Sequence, residues 1–90
     1  MQQQSSILGL DIGSVRVGVA RASWPDGIPT KLTVLANGPD LVDKLTELVR
    51  SENVSLLVAG LPRSLDGNET SQTRQTTQQV ELLKQELKLP

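Results

Sequence analysis

The sequence has no cysteine and no histidine, and Trp24 is its only aromatic residue. Without cysteine there are no disulfides and no thiol nucleophiles. Without either residue there is no Cys/His zinc site and no mechanism that needs an imidazole base. A single aromatic excludes large stacking platforms for bases and leaves the core to Leu, Val and Ile. Neither sign of charge dominates: Lys and Arg number 9, Asp and Glu 10, and the formal net charge is -1. That balance argues against a protein that coats nucleic acid by bulk electrostatics, because neutralising phosphates takes clustered basic side chains. No run approaches the length of a membrane span, and no N-terminal stretch has the basic flank and apolar run of a signal peptide. The expectation is one small cytoplasmic domain of 90 residues, and the lack of cysteine suits a reducing compartment. Carboxylate, hydroxyl, Lys and Arg remain for catalysis. A carboxylate holding a hard divalent cation is the most capable combination among them.

Residues 1–6 are polar and Gln-rich and read as a flexible tail. The near-continuous apolar run from Ile7 to Gly13 reads as a central strand buried on both faces. Beyond a tight turn at Gly13 and Ser14, Val15, Val17 and Val19 alternate with Arg16, Gly18 and Ala20, the period-two signature of a second strand over 15–23. Pro25, Asp26 and Gly27 form a turn, and a third strand is expected over 31–36. Asn37, Gly38 and Pro39 break the chain. Leu41, Val42, Leu45, Leu48 and Val49 then recur at helical spacing and predict a helix over 40–52. Leu56 to Ala59 is too short for a helix and is closed by Gly60 and Pro62, which predicts a strand over 55–61. A helical crossover makes it parallel to another strand. After a loop, Asn68 is a candidate N-cap for a helix over 69–87. Val80, Leu83 and Leu87 stripe that helix, with Thr73 and Thr76 on the same face. Its Gln/Thr-rich first turns are expected to project from the core as solvated surface.

The fold class implied is α/β, a mixed sheet in which three antiparallel strands are followed by a helix, a parallel strand and a second helix. In such a sheet Asp11 and the loop after Gly60 share the edge where strand carboxyl ends gather ligands. Asp11 interrupts an apolar strand, and a buried carboxylate is costly unless something neutralises it. Two readings stay open: it caps the Gly13 turn or pairs with Arg16, or it is a hard oxygen ligand for a cation. Gly9 and Gly13 leave room for close approach of phosphate, metal or backbone. Arg16, Arg21, Arg63 and Arg74 lie in or beside the motif segments, whereas Lys31, Lys44, Lys84 and Lys88 lie elsewhere. Arg suits bidentate phosphate contact better than Lys. Asp66 and Glu69 read more simply as a turn residue and as a negative charge favoured at a helix start. Trp24 reads as a cover for the hairpin end.

Two segments, Leu8-Gly9-Leu10-Asp11-Ile12-Gly13-Ser14-Val15-Arg16-Val17-Gly18-Val19-Ala20 and Val58-Ala59-Gly60-Leu61-Pro62-Arg63-Ser64-Leu65-Asp66-Gly67, together resemble the YqgF/RuvX family over nearly the whole chain from Ile7. The resemblance implies an RNase H-like fold and a metal-dependent nuclease acting on precursor 16S rRNA or branched DNA. Asp11 would be the catalytic and metal-binding carboxylate, with Mg or Mn as its cofactor. Gly13, Arg16 and Arg63 would be substrate-binding residues, and nucleic acid the partner. The Asp-Ile-Gly-Ser run also resembles the first phosphate-binding segment of the actin, hexokinase and Hsp70 superfamily, which keeps a nucleotide-binding reading open. A non-catalytic nucleic-acid-binding module is a further alternative. The family resemblance implies a fifth strand and a further helix bearing more acidic residues, while this sequence ends at Pro90. The expectations are therefore an incomplete, inactive site and a homo-oligomer formed through the strand near 55–61. Where the family has a Ser-Asp pair after the second strand, Arg21-Ala22-Ser23-Trp24 stands here.

Overall fold

The computed structural model describes residues 5–23, 27–60 and 71–90, with side chains of the last segment from residue 73 onward. Strands β1 (Ser6–Ile12), β2 (Arg16–Ser23) and β3 (Thr30–Ala36) are followed by helix α1 (Leu41–Ser51), strand β4 (Val54–Gly60) and helix α2 (Ser71–Leu87). The sheet order is β3-β2-β1-β4. β1 pairs antiparallel with β2 and parallel with β4, and β2 pairs antiparallel with β3. This is the mixed α/β sheet expected from the sequence, and it is consistent with an RNase H-like fold. No described helix is long and apolar enough to cross a membrane.

Alternation decides which face of β1 and β2 is covered, and in β4 a register shift opposite Ser6 and Ile7, with Ser55 as the extra residue, brings Val54 onto the same side as Leu57. Leu8, Leu10 and Ile12 of β1, Val17 and Val19 of β2, and Val54 and Leu57 of β4 form one buried layer with Leu41 and Leu45 of α1 and Val80 and Leu83 of α2. The odd-numbered face of β1 behaves differently: Ile7 and Gly9 are half-buried and Asp11 is exposed. The expectation of a first strand buried on both faces is therefore corrected. The described helical residues pack against one side of the sheet, and the other side stands open, with Val34 and Val58 46% and 48% exposed.

The expected tail also ends earlier, since Ser6 opens β1 and is buried. Its N–H donates to the Asn53 carbonyl and its Oγ to the Glu52 carbonyl, so β1 is tied to the loop between α1 and β4.

Helix α2 corrects another expectation. Its first turns do not project: Thr73 and Thr76 are 0% and 5% exposed and extend the stripe of Val80 and Leu83 into the core layer. Threonine can do this in a helix because its methyl group packs like a small hydrophobe, and the Thr73 carbonyl accepts the Oγ1–H of Thr77 one turn on at 2.9 Å. The helix ends at Lys88, a non-glycine residue with φ 57°. There Leu89 N–H donates to the Lys84 carbonyl and Lys88 N–H to the Gln85 carbonyl, the paired bonds that satisfy a helix C-terminus when the chain turns left-handed. That turn sends Leu89 back against the core, and the Pro90 carbonyl accepts the Leu57 N–H of β4 at 3.1 Å.

Candidate active site

Asp11 stands on the open face, second from the end of β1. Its neighbour across the antiparallel pair is Gly18 and across the parallel pair Gly60. Neither glycine has a side chain to cover the carboxylate. Gly60 is the last residue of β4, so the carboxyl ends of the two parallel strands meet at Asp11, as the sequence implied. Asp11, Arg16, Gly18, Ala20, Lys31, Val34 and Val58 line a shallow open trough of about 630 Å³ across the sheet, with Gly9 on its floor.

Burial is not what marks this carboxylate. Because Asp11 is exposed, the cost of a buried charge does not apply to it. The alternative structural roles fare no better. The turn after β1 is closed by the Gly13 N–H donating to the Arg16 carbonyl at 2.8 Å, and among the described residues the ion pair is Arg21 with Glu52 rather than Asp11 with Arg16. Among the described residues, no ion pair takes up the oxygens of Asp11.

The β1–β2 turn is fixed from outside as well. Asn37, the first residue after β3, donates its backbone N–H to the Val15 carbonyl at 2.9 Å and its Nδ2 to the Gly13 carbonyl at 2.8 Å. Gln79 of α2 in turn donates Nε2 to Asn37 Oδ1 at 2.7 Å. The loop carrying Gly13 between Asp11 and Arg16 is thus clamped by the end of one strand and the middle of a helix. A smaller polar recess of about 220 Å³ lies beside the clamp, lined by Gly13, Ser14, Asn37, Gln75, Thr76 and Gln79. Sequence reading gave Asn37 only the role of a chain breaker, because nothing local shows that its amide reaches a carbonyl 24 residues earlier.

The basic residues sort differently from their sequence order. Arg16 lies on the Asp11 face. Arg21 has the parity of Val17 and Val19 and turns to the helix side, where Nε sits 3.0 Å from Glu52 Oε2 as an ion pair without the angle of a directed hydrogen bond. Arg74 is exposed on α2, across the sheet from the trough. Lys31, which sequence position set apart from the motifs, lines the trough instead. Arg63, Asp66 and Glu69 lie outside the described residues, as does Trp24. Among the described residues no three acidic or other ligand-type side chains come together. Among the described residues Asp11 is the one carboxylate on the trough, so these residues by themselves do not compose a cation site.

The RuvX family, described as Holliday junction resolvase, matches residues 5–90. A protein of Sulfurihydrogenibium sp. named "Putative pre-16S rRNA nuclease" is 43% identical over 81 residues, covering 89% of this chain and 55% of its own length. Proteins of the same name from Orientia tsutsugamushi and Gloeothece citriformis are each 36% identical. They cover 97% and 100% of this chain and 56% and 61% of their own lengths. The chain thus spans somewhat more than half the length of these relatives.

Proposed function

The chain belongs to the RuvX family, and from that membership we propose that it carries the Asp11 arm of a nuclease, presenting this carboxylate to a phosphodiester of nucleic acid. The observation that supports the reading is the setting of Asp11: exposed, without an ion-pair partner among the described residues, flanked on both neighbouring strands by glycine, and placed where two parallel strands end. Precursor 16S rRNA is the first substrate to test, because the relatives bear that name. Branched DNA is the second, from the family description. In this reading Asp11 contributes one oxygen ligand to Mg²⁺ or Mn²⁺, a cation that would activate water or stabilise the leaving oxygen when bound. The other ligands come from outside the described residues. Gly13 shapes the turn beside the carboxylate, and Arg16 supplies positive charge for phosphate.

Cleavage of a precursor rRNA 5′ segment and of a four-way junction, with Mg²⁺ or Mn²⁺, tests the proposal in a protein of the relatives' full length that includes this chain. Asp11→Asn is expected to abolish cleavage while the melting temperature stays within about 2 °C, since an exposed isosteric change costs within roughly 0.5 kcal/mol. Retained cleavage removes Asp11 from the mechanism. That Asp11 is the one carboxylate on the trough among the described residues favours a second reading, a nucleic-acid-binding module without catalysis. Binding without cleavage in the full-length protein supports that one. For the 90-residue chain alone we propose inactivity and self-association through β4, in which a second strand would have to displace the Pro90 carbonyl from the Leu57 N–H. Light scattering that finds a monodisperse monomer refutes the association.

A further inference from the structure

A strict alternation along β3 would put Lys31 with Thr33 and Leu35, because residues two apart share a face. Leu35 pairs with Val17 and Thr33 with Val19, both on the helix-covered side, so on that rule Lys31 would also face the helices. The pairing breaks this rule. Between Val19 and Ala20 the register shifts, so that Thr33 is opposite Val19 and Lys31 opposite Ala20, with Leu32 left over as the extra residue of a bulge. Leu32 packs against the core, and Lys31 moves to the open face and lines the trough with Asp11 and Arg16. A bulge of this kind disrupts the ladder and is found where a side chain is re-aimed beside a functional surface.

The register also gives the spacing. Asp11, Gly18 and Val34 form one rung across three strands. Arg16 lies two residues from Gly18 toward the β1–β2 turn, and Ala20, the partner of Lys31, two residues the other way. With about 4.8 Å between strands and about 3.4 Å per residue along them, the Cα atoms of Arg16 and Lys31 are roughly 14 Å apart, and Asp11 lies to one side of the line between them. At an axial rise of about 3.4 Å per nucleotide this span covers on the order of four phosphates, fewer if the strand is extended. Between the two cations the floor is Gly18 and Ala20, with no side chain long enough to obstruct a strand.

We propose that Lys31 is a phosphate-binding residue that, with Arg16, lays a single strand of nucleic acid along β2 so that its backbone passes Asp11. The inference rests on the nucleic-acid reading above and goes beyond it in naming a residue and a path. Lys31 acts as a point charge at one end of the path, whereas Arg16 holds the other.

The test is binding of short single-stranded RNA and DNA probes to the full 90-residue chain, followed by fluorescence anisotropy across a KCl series. Each phosphate neutralised on a single strand contributes about 0.7 to the slope of log affinity against log salt. Lys31→Ala is expected to reduce that slope by roughly 0.7 with both probes. Lys31→Arg, which keeps the charge, is expected to retain it, and so is Lys44→Ala, on the exposed side of α1. An unchanged slope in Lys31→Ala overturns the proposal, as does a chain that binds neither probe. The two readings fail separately: absent cleavage with a reduced slope removes the nuclease and keeps Lys31, and cleavage with an unchanged slope does the reverse.

Discussion

Two glycines show how differently the same residue can be justified. A Cβ on Gly27 would lie 2.3 Å from the Ser23 nitrogen and 2.5 Å from its oxygen, so the chain itself forbids any side chain there. A Cβ on Gly18 would meet the Cβ of Asp11 at 3.6 Å, an ordinary contact, and its φ is not in the left-handed region. Neither sterics nor backbone conformation asks for glycine at Gly18, yet glycine inside a strand costs roughly 0.5–1 kcal/mol relative to alanine. Gly18→Ala should therefore raise stability by about that amount in denaturant unfolding. A loss of stability would show that the strand needs the glycine for its own geometry. The same methyl group would stand beside the Asp11 carboxylate, so in a full-length nuclease the gain in stability is expected to come with slower cleavage.

Among the elements, the ends of α2 carry the most information. Lys88 holds the left-handed conformation that closes the helix, a position glycine occupies without steric cost and other residues at about 1–2 kcal/mol. Lys88→Gly is expected to stabilise the chain by roughly 0.5–1 kcal/mol, less than the full steric cost because glycine also loses more entropy on folding. Thermal unfolding measures it, and an unchanged or lowered midpoint refutes it. Element positions were legible in the sequence because their signals are local: Gly13, Asn37 and Gly60 punctuate the strands, and the spacing of Leu41, Leu45 and Leu48 marks α1. Faces were less legible. The spacing put Thr73 and Thr76 on the apolar stripe of α2, but their burial was hidden because threonine scores as polar although its methyl group can line a core. Lys31 was hidden because a bulge overrules alternation, and a bulge is a property of pairing rather than of one strand. Asp11 stands out in an apolar run, which reads as a buried charge, and the structure exposes it rather than burying it.

At the scale of the whole molecule the sheet has a dry side and an open side, and the candidate chemistry stands on the open one. The core layer joins all three described parts of the chain, with Leu8 and Val17 from the hairpin, Leu45 from α1 and Leu83 from α2. The clamp from Gln79 through Asn37 to Gly13 runs between the same parts on the polar side. The helix layer therefore fixes the turn next to Asp11 without occupying the face on which Asp11 stands.

The strand order β3-β2-β1-β4 carries a consequence for the speed of assembly. β1 joins β2 across a turn of three residues, but it meets β4 only after β3 and α1 have intervened, as in the pairing of Leu8 with Leu57. Closing the larger loop costs more chain entropy before any contact repays it. A nucleus built on the β1–β2 hairpin should thus form early, with β4 condensing onto it in the later part of the barrier crossing. In stopped-flow refolding, Val19→Ala is expected mainly to slow folding and Leu57→Ala mainly to speed unfolding. The reverse partition would mean that the parallel pair, despite its distance along the chain, organises the transition state.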